Sequence, residues 1–75
     1  MPKLELYGAA SCPYTADLRE SLEINGRDFI EYDVEKDRDA YARLQALTGG
    51  QRTIPVLVED GKPAQIGWQG RACIV

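Results

Sequence analysis

The chain contains no histidine. That absence removes imidazole as a general base and removes the histidine-ligated metal sites. Cysteine is scarce: only Cys12 and Cys73 are present, too few for a cysteine-rich zinc site or a multi-disulfide secreted scaffold. No apolar run approaches the roughly 20 residues that a membrane-spanning helix needs, so a membrane partner is not expected. Positive charge is not in excess either. Nine Lys and Arg face twelve Asp and Glu, a net charge of −3, which argues against nucleic acid as a partner. The acid-rich stretch from Glu31 to Asp39 reads as a solvated loop and helix start. The chemistry left is that of thiols and carboxylates.

What is present is an ordinary globular composition, with 44% hydrophobic and 28% charged residues and aromatics spread over Tyr7, Tyr14, Phe29, Tyr32, Tyr41 and Trp68. At 75 residues the expectation is a single domain, 1–75, with a lean core that buries roughly 60% of the unfolded surface. Lys3 to Tyr7 alternates Leu4 and Leu6 with polar residues and stops at Gly8, a strand pattern. From Pro13, Tyr14, Leu18 and Leu22 recur every four residues, and Asn25-Gly26 ends that helix. Asp28 to Val34 reads as a second strand. Asp37 caps a second helix with apolar face Ala40, Leu44 and Leu47, closed by Gly49-Gly50. Pro55 to Glu59 and Lys62 to Ile66 flank Asp60-Gly61, a hairpin signature. The fold class is α/β, an α+β sandwich of order βαβαββ, with a mixed four-stranded sheet and helices on its faces. Pro63 lacks a donor and places the last strand at an edge. The few residues after it leave a C-terminal helix short or missing. No apolar segment precedes the first strand, so the cytoplasm is the expected compartment.

Cys12-Pro13-Tyr14-Thr15 falls where the first strand gives way to the first helix. With Cys12 as N-cap, Pro13 takes the first helical position, where its missing N–H costs nothing. The backbone N–H groups of Tyr14 and Thr15 then point back at the sulfur and, with the helix dipole, lower the thiol pKa. The Thr15 hydroxyl is a further donor. A thiolate so stabilised attacks disulfides. In Thr53-Ile54-Pro55 the proline opens a strand after a loop, and spacing alone allows either peptide isomer.

Cys12-Pro13-Tyr14 resembles the Cys-Pro-Tyr-Cys motif of glutaredoxins, and Gly50-Gln51-Arg52-Thr53-Ile54-Pro55 resembles the loop before their cis-proline. The resemblance covers nearly the whole chain. It implies a thioredoxin-like fold and a thiol–disulfide oxidoreductase that reduces glutathione mixed disulfides or protein disulfides through Cys12. It implies a cis Ile54–Pro55 bond beside the thiol and an Ile54 backbone that pairs with the backbone of glutathione or of a substrate. Arg52, or Gln51, would hold a glycyl carboxylate. Pro13, Tyr14, Thr53, Pro55, Gly67 and Trp68 complete the implied binding surface. Glutathione is the implied co-substrate, with no bound cofactor or metal, and a monomer is expected.

The sequence departs from that family in three places. Thr15 stands where the second cysteine would be, which makes this a monothiol variant whose mixed disulfide another thiol must resolve. Ala9 replaces a commonly found lysine. Gly67-Trp68-Gln69-Gly70-Arg71 lacks the acidic partner for a γ-glutamyl end and looks more like the Trp-x-Gly stretch of the redoxins that serve ribonucleotide reductase, which adds thioredoxin reductase as an alternative electron donor. Trp68 reads first as a cap on the core and second as a substrate contact. Cys73 has two readings. It resolves Cys12 through a Cys12–Cys73 disulfide, which needs Cα atoms within about 7 Å, or it is a spectator thiol in a frayed tail; the spectator stands slightly ahead. Two further readings compete with the enzyme. One is an iron–sulfur carrier module that uses Cys12 and glutathione as ligands. The other is an orphan domain whose thiol titrates near the ordinary ~8.5.

Overall fold

The computed structural model describes residues 4–75; Met1 to Lys3, including the expected first strand residue Lys3, lie outside the described residues. β1 (Leu4–Gly8) leads through a tight turn into α1 (Pro13–Ile24), and β2 (Ile30–Asp33) returns parallel to β1. α2 (Arg38–Thr48) follows, then β3 (Thr53–Ile54), β4 (Val56–Glu59), β5 (Lys62–Ile66) and β6 (Cys73–Ile74). The main sheet is four-stranded and mixed, in the order β2-β1-β4-β5, with β4 antiparallel to both of its neighbours.

Strand alternation divides the core into two layers, because successive side chains leave a strand on opposite faces. Leu4 and Leu6 of β1 and Leu57 of β4 point to one face, where Leu18 and Leu22 of α1 cover them, with Phe29 and Trp68 packed at the margin. Tyr7, Val56 and Val58 point to the other face, where Ala40 and Leu44 of α2 meet them together with Val34, Ile54 and Cys12. Full burial of each Leu or Val side chain contributes about 1.5–3 kcal/mol. The buried stripe of α1 is Thr15, Leu18 and Leu22 rather than Tyr14, Leu18 and Leu22. Tyr14 is half-buried and packs toward the α2 layer instead.

Local chemistry sets the ends of the elements. The Asp37 carboxylate accepts from the Ala40 N–H at 3.1 Å and caps α2, and Gly49 ends it at φ 72°, a conformation that suits glycine. Asp60 (φ 53°) and Gly61 (φ 80°) make the two-residue β4–β5 turn that an Asp-Gly pair favours. β5 is an edge strand, as Pro63 requires, and the register slips opposite Leu57 and Val58, leaving Ala64 unpaired.

At the outer side of the α2 layer Tyr7 stacks on Tyr32 with ring centroids 5.0 Å apart, and the Arg43 guanidinium lies 4.8 Å above the Tyr32 ring. Burial raises the Tyr32 phenol above its ordinary pKa, and the neighbouring Glu5 carboxylate raises it further.

The chain after β5 differs from the expected short helix or stub. Trp68 and Arg71 exchange backbone hydrogen bonds of 2.7 and 2.9 Å across a turn at Gln69 (φ 51°) and Gly70 (φ 78°). The segment then runs back along β3 as β6, antiparallel, with Ile54 opposite Cys73 and Thr53 opposite Ile74.

Candidate active site

Gly8, Ala9 and Thr15 build the cradle of Cys12. Cys12 is the N-cap of α1, extended at φ −97° and ψ 114°, and Pro13 is the first helical residue. The Cys12 N–H donates to the Ala9 carbonyl at 3.1 Å, which fixes the turn between strand and helix. Thr15 is buried under the end of β1, where its Oγ1 accepts from the Ala9 N–H at 3.3 Å. Gly8 allows that approach: a Cβ there would stand 2.9 Å from Thr15 Cβ and closer still to its γ atoms. The turn is also tied to the end of β2. Ala10 N–H donates to Asp33 Oδ2 at 3.4 Å, Ser11 Oγ donates to Glu35 Oε1 at 2.7 Å, and Val34 N–H donates to the Gly8 carbonyl at 2.8 Å.

This geometry corrects two expectations about α1. The Thr15 N–H donates to the carbonyl of Cys12 at 3.1 Å, and no side-chain cap bond reaches the Cys12 sulfur. The Thr15 hydroxyl faces Ala9 and not the thiol, because the close approach to Gly8 carries it beneath the strand. Thr15 is therefore a strut that holds the turn. What the helix offers the sulfur is its positive N-terminal end.

The opposite wall is the loop into β4. Ile54 and Pro55 are buried, and the peptide bond between them is cis. Gly67 donates its N–H to the Pro55 carbonyl at 2.7 Å, and a Cβ at Gly67 would press on the Arg71 carbonyl, so the 67–71 turn is seated against this loop. That seating carries the chain back to the thiol. Cys73 is bonded to Cys12, with Cα atoms 6.1 Å apart across 61 residues of sequence. The spectator placement of Cys73 in a frayed tail does not hold. The tail is a strand, and the turn that aims it is hard to see in sequence because Gln69-Gly70 is a weaker turn signal than Asn-Gly or Asp-Gly.

The fold thus gathers Cys12, Cys73, Thr53, Ile54 and Pro55 at one edge, with Pro13 exposed and Tyr14 half-buried beside them. Arg52 and Gln51 are exposed on the loop before β3. Arg52 lines a cavity of about 400 Å³ with Val34, Glu35, Tyr41 and Val75. Sequence alone does not single out Tyr41, Val34 and Glu35, since each falls where helix or strand periodicity assigns packing or a solvated loop. Trp68 is not part of this group: it packs on the leucine layer under α1 and lines a separate groove with Asp17, Glu20 and Ile24. Among the described residues, no group of three or more His, Cys, Asp or Glu is placed to hold a metal ion.

Comparison with known proteins agrees with this architecture. Residues 4–63 match the glutaredoxin family model. Two probable glutaredoxins of Synechocystis sp. are 29% identical over 58 residues and 34% identical over 59 residues, each alignment covering 77% of this chain. The matched parts are 66% and 54% of those two proteins, so the chain spans about half to two thirds of the length of the curated relatives it matches. Among solved structures, a mutant of a thioredoxin-like protein superposes with TM-score 0.79 at 33% identity, over 92% of this chain and 86% of the other. A glutaredoxin of Archaeoglobus fulgidus superposes with TM-score 0.75 at 23% identity, over 92% of this chain and 78% of that one, a likeness of fold.

Proposed function

The chain belongs to the glutaredoxin family, and on that premise we propose that it is a thiol–disulfide oxidoreductase that cycles between a Cys12/Cys73 dithiol and the Cys12–Cys73 disulfide. The bond between the two cysteines is the observation that carries this reading. In the first step the Cys12 thiolate attacks one sulfur of a substrate disulfide. A new sulfur–sulfur bond forms at Cys12, and the other substrate sulfur leaves as a thiolate that takes up a proton. In the second step the Cys73 thiol gives its proton to solvent and attacks the Cys12 sulfur. The protein disulfide forms and the second substrate thiol departs. The substrate has gained two electrons from the protein and two protons, one released by Cys73 and one taken from solvent, which received it when Cys12 ionised. An external thiol donor restores the dithiol.

The helix N-terminus supports Cys12 as the nucleophile, since its positive end favours thiolate over thiol. Glutathione mixed disulfides and protein disulfides are the substrate classes, with glutathione or thioredoxin reductase as donor, and the exposed Arg52 would pair with a carboxylate of the substrate. The iron–sulfur alternative would draw on the same Cys12 sulfur that Cys73 engages, and no feature of the site favours it.

Stoichiometric reaction of the reduced protein with a glutathionylated peptide, followed by mass spectrometry, tests the reading. The wild type should end as the internal disulfide, Cys73→Ser should stop as a mixed disulfide at Cys12, and Cys12→Ser should not react. Equal substrate consumption by Cys12→Ser and wild type would overturn it. Alkylation of reduced Cys12 should also show an apparent pKa below the ordinary ~8.5.

A further inference from the structure

β6 is laid on the molecule from outside. Among the described residues it pairs with β3, itself two residues long, and the two form a sheet separate from the main one. The register puts Cys73 opposite Ile54, so the exchangeable sulfur lies directly at the cis-proline wall. Val75 extends the pairing, its N–H donating to the Arg52 carbonyl at 2.8 Å. Along this strip the side chains alternate as on any strand: Cys73 turns in to Cys12, Ile74 is 75% exposed, and Val75 lines the cavity with Val34, Tyr41 and Arg52. The hydrogen bonds of so short a strand return about as much free energy as ordering its backbone removes, so the covalent bond decides whether it stays.

We propose that β6 is a tethered stand-in for an extended strand of a disulfide-bearing partner protein. In the oxidised protein it closes the Thr53–Ile54 edge; breaking the Cys12–Cys73 bond frees that edge, so that only the dithiol form docks the partner by strand addition. The register of β6 is the template for the partner segment: a cysteine opposite Ile54, an unconstrained residue next, and an aliphatic residue seated between Val34 and Tyr41. The inference rests on the dithiol–disulfide cycle proposed above. Opening requires two equivalents of an external thiol. The first thiolate attacks the sulfur of the half-buried Cys73, since Cys12 is 2% exposed, and Cys12 leaves as a thiolate at the helix N-terminus. The second thiol attacks the external sulfur of that mixed disulfide, so Cys73 is released as a thiol and the two external thiols depart joined as a disulfide.

The probe is a pentapeptide, Gly-Ser-Ile-Val-Gly, which copies β6 without a thiol, so its binding does not depend on the reactivity of Cys12. Titration followed by the amide resonances of Thr53 and Ile54 should show saturable shifts with the reduced wild type. The oxidised protein should bind about tenfold more weakly or not at all, because its competent fraction is small. Cys73→Ser/Val75→Pro, which lacks both the bond and the Val75 N–H, should bind at least as tightly as the reduced wild type. Equal affinity of the oxidised and reduced forms would overturn the proposal. So would equally weak binding by both with tight binding by the double variant, which would mean that the strand closes the edge whatever the redox state. Absence of binding to all three forms also overturns it, and does so without touching the alkylation and mass measurements on which the redox cycle stands.

Discussion

Cys12 and Cys73 share one bond, yet the regions that hold them contrast. Cys12 sits in a cradle fixed from every side: Pro13 starts the helix, Ala9 accepts from its N–H, Thr15 braces the turn against Gly8, and Asp33 and Glu35 tie down the residues before it. Cys73 sits on the two-residue strand β6, which among the described residues pairs with another two-residue strand, β3, and whose second residue, Ile74, is exposed. The proposed exchange of disulfides asks for this asymmetry. The attacking sulfur must be held in line with the substrate and with the helix N-terminus, whereas the second sulfur has to leave and return.

The sharpest way to break the comparison is to cut the bond itself. Closing a loop of 61 residues restricts the unfolded chain enough to stabilise the folded state by about 4 kcal/mol in the chain-entropy account. Cys73→Ser, compared with oxidised wild type by urea denaturation without reductant, should lose about that amount. It should retain native amide protection in Leu6, Leu18 and Leu57, whose buried layer includes no residue of β6. Loss of structure in that layer as well would mean that the cradle depends on β6, and the contrast between the regions would fail.

The next effect lies on the cradle side. Gly8→Ala inserts a methyl where Thr15 already stands, and overpacking of this kind costs about 1–3 kcal/mol. Thr15→Ala alone removes the acceptor for the Ala9 N–H, at about 1–3 kcal/mol for a buried donor left unpaired. The two should not add. In Gly8→Ala/Thr15→Ala the new methyl escapes both γ atoms of residue 15 and meets only its Cβ, at 2.9 Å, so a double-mutant cycle should show a favourable coupling of about 1 kcal/mol. Additive losses would show that Gly8 is required by something other than its closeness to Thr15.

The same contrast governs how much was legible in the sequence. The cradle announces itself, because Cys-Pro at the end of an alternating strand combines an N-cap position with a first-turn proline, and both are local signals. The four strands of the main sheet, both helices and the edge position of Pro63 follow from periodicity and turn residues in the same way. The side-chain directions inside the first turn of α1 are not local. Tyr14 and Thr15 fit the buried stripe about equally by spacing, and the absence of a Cβ at Gly8 decides that Thr15 goes under. The β6 strand is harder still. Cys73-Ile74 has no periodicity to read, and its place is set by the Gln69-Gly70 turn and by the unpaired edge of Thr53–Ile54, which exists only once Pro55 has separated β3 from β4.

The smallest expected effect sharpens the comparison from the strand side. Val75→Pro deletes the N–H that donates to the Arg52 carbonyl and leaves both cysteines in place. In the oxidised protein the covalent bond still holds β6 against β3, and a single solvent-accessible backbone bond contributes about 0.5–1.5 kcal/mol, so stability should fall by about 1 kcal/mol or less. The cradle should not register the change at all, and alkylation of reduced Cys12 should keep its rate and pH midpoint. What should move is the internal disulfide. Looser pairing lowers the share of reduced molecules in which Cys73 stands within reach of Cys12, so the Cys12–Cys73 bond becomes easier to reduce by a glutathione couple. A shift in the redox equilibrium with no shift in Cys12 alkylation separates the two regions as one fixed and one movable partner. A change in Cys12 alkylation instead would show that Val75 reaches the cradle, and the thiols would then be parts of a single rigid unit.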